Sequence, residues 1–202
     1  MTKFLVTGAS GFVGGAIVAR LAADKGSVVR VAVRRNVPIP FEGVEQVSGI
    51  DLDAVTDWHK ALSGVSQVVH AAARVHVMVD SALDPLSEYR RVNVDGTLNL
   101  ALQAAKLGVR RFVFISSIKV NGEVTGIGKP FCADDVPNPV DPYGRSKYEA
   151  ELGLMEVAAS TGLEVVIIRP VLVYGPGVKA NFQSMMNWVD MRLLKKLVGL
   201  VG

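Results

Sequence analysis

Apolar runs separated by glycine-rich or polar stretches recur along the whole chain, and they fall into two periods. Residues 4–7, 28–33, 44–47, 68–72, 112–116 and 165–168 form short runs rich in β-branched residues. Such runs read as buried strands of a parallel sheet covered on both faces. Between most of them the apolar positions change to a three-to-four-residue spacing, first at Val13, Ile17, Val18 and Leu21, which predicts a helix. Residues 53–62, 85–107 and 143–160 are the other candidate crossover helices. Strand and helix alternating with right-handed crossovers imply an α/β fold, a doubly wound parallel sheet with helices on both faces.

Two stretches break the alternation. Residues 121–142 are rich in Gly, Pro, Asn and Asp. A helix and a strand follow them, so they read as a long loop bordering a site rather than a domain boundary. After Val173-Tyr174-Gly175-Pro176-Gly177 the pattern becomes one amphipathic helix, with Phe182, Met185, Met186, Val189, Leu193, Leu194 and Leu197 on one side. That stripe reads as a packing face. The expected organisation is a main domain over 1–177 and the start of a further segment over 178–202.

Composition narrows the class. Half of the 202 residues are hydrophobic and 20% are charged, a profile of folded globular chains rather than disordered ones. The net charge is +3, and the basic residues lie in scattered pairs such as Arg34-Arg35 and Arg110-Arg111, which reads as solvated surface and argues against nucleic-acid binding. Cys132 is the single cysteine, so no intrachain disulfide or zinc-cysteine cluster is available and a reducing compartment fits. Without an apolar span of membrane length, the expectation is a cytoplasmic protein with no membrane partner.

The chemistry begins at the first turn. In Thr7-Gly8-Ala9-Ser10-Gly11-Phe12-Val13-Gly14, Gly8 permits the tight turn, Gly11 lets the backbone approach a phosphate, and Gly14 admits close helix-to-strand packing. The pattern follows a strand and opens a helix whose amides point at the anion, the context a Rossmann dinucleotide site requires. Gly8, Ser10, Gly11, Phe12, Val13 and Gly14 are therefore candidate cofactor contacts. An acidic residue is expected at the end of the second strand to bind a ribose hydroxyl, but Arg34 and Arg35 stand there. Guanidinium groups at that point suit a 2′-phosphate, so NADP is preferred over NAD.

Farther along, Tyr143 and Lys147 stand four residues apart on a predicted helix, on one face. A free phenol, pKa near 10, is a poor base at neutral pH, and a neighbouring lysine together with a nicotinamide's positive charge is expected to lower it. Tyr143 could then exchange a proton while hydride moves at the adjacent carbon.

The two-residue spacing between glycines, Ser116-Ser117 before the loop, Tyr143-Gly144-Arg145-Ser146-Lys147, Arg169-Pro170-Val171 and Tyr174-Gly175-Pro176-Gly177 together resemble the extended short-chain dehydrogenase/reductase family, also called the NAD-dependent epimerase/dehydratase family. The resemblance covers nearly the whole chain to Asn181-Phe182. It implies that Ser117 contacts the reacting oxygen, Tyr143 is the acid/base, and Lys147 also bonds the nicotinamide ribose. By the same resemblance Asp51 and Leu52 contact adenine, Ala71, Ala72 and Ala73 form a small-residue turn beside the cofactor, and Asn93 supports the site. Pro170 and Val171 lie against the nicotinamide. His70 reads as structural, and Ser116 is a neighbouring alternative to Ser117. Ile118-Lys119-Val120-Asn121-Gly122 departs from the family's usual run at Lys119 and Asn121, on the substrate side.

What the resemblance implies about function is a 4-epimerase or 4-keto reductase of a nucleotide-activated sugar, of the kind found in surface-polysaccharide synthesis. A homodimer through residues 85–107 and 143–160 and a further substrate-gripping segment, cut short here, are also implied. Two alternatives stay open: an NADPH-dependent reductase of another small carbonyl compound, such as a hydroxysteroid or flavonoid-type ketone, and a non-catalytic dinucleotide binder, which has no need of Tyr143 and Lys147.

Overall fold

The structure, a computed structural model, describes residues 1–75, 84–178 and 186–189. Strands β1 (Thr2–Thr7), β2 (Ser27–Val33), β3 (Glu45–Ser48), β4 (Gln67–His70), β5 (Arg111–Ile115) and β6 (Glu164–Ile168) form one sheet in the order β3-β2-β1-β4-β5-β6. Every pairing is parallel. The strand order reverses between β1 and β4, and in such sheets ligands bind outside the carboxyl ends of the strands at that point.

Period-two alternation sorts the core into two layers. On β1, Leu5 faces a cluster with Val68, Phe112, Phe114, Trp58, Leu100 and Leu154. Its neighbour Val6 faces another with Val18, Val29, Val31 and Val69. Helices α2 (His59–Leu62), α4 (Gly96–Lys106) and α5 (Pro142–Thr161) serve the first layer, and α1 (Phe12–Ala22) serves the second. Burying each of Phe112 and Phe114 completely contributes about 1.5–3 kcal/mol. The described residues of the first unit do not cover the sheet evenly on both faces. Right-handed crossovers from β4 to β5 and from β5 to β6 put their helices on one side, and among the described residues Val166 and Ile168 of β6 are exposed on the other.

Two predicted helices differ. Only the last turn of 53–62 is helical, because Asp53 turns its carboxylate onto the backbone N–H of Val55 and Thr56 and onto the Thr56 hydroxyl. An Asx turn of that kind competes with the helix. The Asn99 and Gln103 amides of α4 then bind the carbonyls of Asp53 and Thr56 and hold the segment as a loop. The 85–107 helix is continuous but carries a π-helical segment, Arg90–Asp95, between α3 (Pro85–Tyr89) and α4. Helix α5 keeps its ends sharply: Asp141 caps it through Gly144 N–H, Pro142 opens it, and Gly162 leaves it at φ 76°.

The chain divides into two compact units, Met1–Val171 and Leu172–Gly202, and all named elements belong to the first. In the second, residues 186–189 are helical. Phe182, Met185, Leu193, Leu194 and Leu197 of the predicted amphipathic stripe lie outside the described residues. No helix among the described residues is long and apolar enough to cross a membrane.

Candidate functional site

At the carboxyl end of β1 the chain folds so tightly that side chains are excluded. Gly8 has φ 73°, and a Cβ there would lie 2.6 Å from Ala72 N in the turn after β4. A Cβ on Gly14 would lie 2.1 Å from the Gly8 carbonyl oxygen. Gly11 N–H donates to that same oxygen at 2.9 Å, and α1 starts at the next residue. Ser10 and Phe12 are exposed at this helix start and Val13 is half-buried. Ala71, Ala72 and Ala73 are half-buried beside the turn. A groove of about 360 Å³ lies alongside, lined by Ser10, Gly11 and Val18 on one side and Pro38 and Phe41 on the other.

Arg34 and Arg35 leave β2 with both side chains exposed. Gly49 N–H donates to the Arg34 carbonyl, which sets the residues after β3 beside them. Asp51 there is exposed. Leu52 instead packs under Gly96, where a Cβ would come within 2.7 Å of Leu52 Cγ.

Across the switch point, β5 and α5 bring Ser117 and Tyr143 together. Ser117 starts the short 3-10 turn Ile118–Val120, its hydroxyl accepting from Lys119 N–H at 3.3 Å. Pro170, at the end of β6, holds this turn through its carbonyl, which accepts from Ile118 N–H, and Val171 is exposed beyond it. The Tyr143 ring stands edge-on to Tyr89, centroids 6.2 Å apart. Asn93, in the π-helical segment, is buried and bonded on every side. Its amide donates to the Arg74 carbonyl and to Ser146 Oγ, each at 3.0 Å, and its oxygen accepts from Arg74 N–H at 2.8 Å. The π segment thereby ties the chain after β4 to the helix carrying Tyr143 and Lys147.

Lys147 is 1% exposed. Its ammonium lies over the Phe114 ring, 4.0 Å from the centroid. Burial drags its pKa down to about 7, against a smaller opposing pull from Glu151. Tyr143 moves the opposite way from the expectation. Burial pushes the phenol above its ordinary value, Asp141 adds to that, and Ser117 and Lys119 only partly offset it. The lysine that draws the phenol down is therefore Lys119, which sequence reading had placed only as a departure on the substrate side.

His70 is structural, as expected. Its Nδ1 lies 2.6 Å from Thr7 Oγ1 and its Nε2 2.9 Å from Thr97 Oγ1. Thr7 Oγ1 also accepts from Ala72 N–H. A neutral ring satisfies this chain when Thr7 donates to Nδ1 and Nε2–H donates to Thr97. Burial and the neighbouring Lys147 hold its pKa down at about 3.

Sequence reading missed a second buried cluster. Ser116, 3% exposed, donates to Glu151, and Arg169 forms an ion pair with Glu151 at 2.6 Å. Arg169 also donates to Asn121 Oδ1 at 3.1 Å. Ser116 is thus committed inward, which leaves Ser117 as the hydroxyl beside Tyr143. One signal was available: Glu151 follows Lys147 by four residues and Tyr143 by eight, on the helix face that carries them.

The site suits a dinucleotide on structural grounds. The turn at Gly8 and Gly14 is a backbone cradle that any Cβ would fill. Lys147 is a buried ammonium over an aromatic ring, a donor that suits ribose hydroxyls. Among the described residues no acidic, histidine and cysteine cluster could hold a metal ion.

The sequence profile of the NAD dependent epimerase/dehydratase family matches residues 4–198. A "UDP-glucose 4-epimerase" from Vibrio cholerae is 50% identical over 93% of this chain and 57% of its own length. A "3-beta-hydroxysteroid dehydrogenase" from Mycolicibacterium neoaurum is 31% identical over 98% of this chain and 54% of its own. Among solved structures, MoeE5 in complex with UDP-glucuronic acid and NAD superposes with a TM-score of 0.75 at 33% identity, over 89% of this chain and 57% of that one. The chain therefore spans little more than half the length of these relatives.

Proposed function

The chain belongs to the NAD-dependent epimerase/dehydratase family, and from that premise we propose that it binds a nicotinamide dinucleotide along the carboxyl edge of the sheet and catalyses reduction or epimerisation at C4 of a nucleotide-activated sugar. The observation that carries the reading is the meeting, at one sheet edge, of the side-chain-free turn at Gly8 and Gly14 with the Ser117–Tyr143 pair and the buried ammonium of Lys147. The names of the Vibrio cholerae relative and of the MoeE5 complex support a uridine-diphosphate sugar as the substrate.

Gly8, Ser10, Gly11, Phe12, Val13 and Gly14 hold the pyrophosphate at the start of α1. Exposed Asp51 would border the adenine, with Leu52 packed under Gly96 behind it, Ala71 to Ala73 would leave room for the cofactor, and Pro170 and Val171 would flank the nicotinamide. When bound, the nicotinamide accepts or returns a hydride at the carbinol carbon. Ser117 orients the substrate oxygen, and Tyr143 takes or gives its proton at Oη. Lys147 would donate to ribose hydroxyls, while Lys119 and Ser117 draw the Tyr143 phenol down against burial and Asp141. Exposed Arg34 and Arg35 favour the 2′-phosphate of NADP, and with it net reduction of a 4-keto sugar.

Parallel calorimetric titration with NADP and NAD tests this. Tighter NADP binding that weakens in Arg34→Asp supports the reductase form, and tighter NAD binding moves the reading to an epimerase. Binding of neither overturns it. Oxidation of a 3β-hydroxysteroid, with no turnover of a UDP-sugar, would replace the sugar as the substrate.

A further inference from the structure

Beside the candidate site, three elements end on one buried carboxylate. Glu151 of α5 is 3% exposed and lies one helical turn beyond Lys147. It accepts from Ser116, the residue before Ser117, and from Nε and Nη2 of Arg169, the residue before Pro170. Arg169 reaches on to Asn121 Oδ1 and to the Ala133 carbonyl, and Asn121 donates to the Cys132 carbonyl at 2.9 Å. One carboxylate thus joins the segment after β5, the helix of the acid/base pair, the end of β6 and the long loop.

Resting on the function proposed above, we propose that Glu151 is a positioning residue that acts through Lys147. Clamped by Arg169 and Ser116, its carboxylate supplies the negative charge that keeps the buried ammonium protonated and fixes Lys147 in register with Ser117. The charged and titratable groups around Lys147 leave it this role. From β4 comes His70, neutral because its pKa is held at about 3, and from β5 the uncharged ring of Phe114. Tyr143 lies one turn before it on α5, and Asp141 and Lys119 face Tyr143. Arg169, with Tyr148 nearby, stands behind Glu151. Glu151 is the group that raises the Lys147 pKa against burial.

The test uses the whole 202-residue chain and NADP as probe, titrated by calorimetry from pH 6 to 9. Protonated Lys147 binds ribose hydroxyls best, so affinity falls as pH rises through its titration. In Glu151→Gln, which keeps the size and the hydrogen bond to Ser116, the midpoint of that fall is expected about one pH unit lower. Glu151→Gln/Arg169→Met removes the pair without leaving an unpaired cation and is expected to shift the same way, so the test stands if the single variant does not fold. A uniform loss of affinity at every pH, with the midpoint unmoved, overturns the proposal while leaving the dinucleotide site intact. If the unmodified chain binds no dinucleotide, the functional reading falls by itself. The positioning claim is then decided by denaturant melts, in which the rise of stability with pH begins near pH 7 in the parent and must begin lower in the variants. An unchanged onset overturns it.

Discussion

Lys119 and Asp141 form an ion pair of 2.5 Å that closes the segment carrying Ser117 onto the start of α5. Asp141 is at the same time the N-cap of that helix. The two charges act on Tyr143 with opposite sign. Asp141→Asn, which can still cap, is expected to lower the pH at which Tyr143 ionises, and Lys119→Met to raise it. Alkaline difference absorbance against Tyr143→Phe measures both. Because Lys119 is 39% exposed, its loss should cost no more than about 1 kcal/mol of stability. Shifts of the same sign in both variants would refute the assignment.

Gly14→Ala places a methyl group 2.1 Å from a backbone oxygen that cannot move without opening the β1–α1 turn. We expect destabilisation of at least 1–3 kcal/mol, roughly the cost of overpacking, and loss of dinucleotide binding. A variant with parental melting temperature and affinity would show that the cradle is wider than described.

His70 gives the fold an acid limit. Its pKa is about 3 in the folded chain against an ordinary 6.5, so between these values the unfolded chain holds a proton that the folded chain does not. Stability is therefore lost as pH falls from 6.5 towards 3, by on the order of 5 kcal/mol in all. Urea melts of His70→Gln should lack this one-proton slope. An identical slope in parent and variant would assign the acid transition to the carboxylates instead.

Lys147 works against stability in the same sense at higher pH. Folded at about 7 and ordinarily 10.5, it makes stability rise with pH across that window, and the full cost, on the order of 5 kcal/mol, is carried below pH 7. Lys147→Met is expected to be more stable than the parent near neutrality, to lose this slope, and to bind dinucleotide poorly. Denaturation midpoints at pH 7 and 9 provide the check, and a less stable methionine variant would sink the argument.

The parallel sheet was legible because short β-branched runs alternate with stretches of helical spacing, and each observed strand begins or ends within two residues of its run. Gly8, Gly14 and the Tyr143–Lys147 pair were legible because a tight turn and a helical spacing are local properties. The loop at 53–58 was not, since the Asp53 side chain and two amides of α4, more than forty residues on, decide it together. The direction of the Tyr143 shift was missed because burial is a property of the assembled site. Glu151 has a visible position on the helix, but its partner Arg169 reaches it only once β6 lies beside β5.

The place of β1 in the sheet has a consequence for the nascent chain. This first strand ends between β2 and β4. One of its edges closes once Val33 has emerged from the ribosome, but the other stays open until residues 67–70 follow. An open strand edge is a template for unwanted pairing, so synthesis passes through an interval in which one edge of β1 is exposed to it. The Gly8 turn closes against Ala72 only when that interval ends.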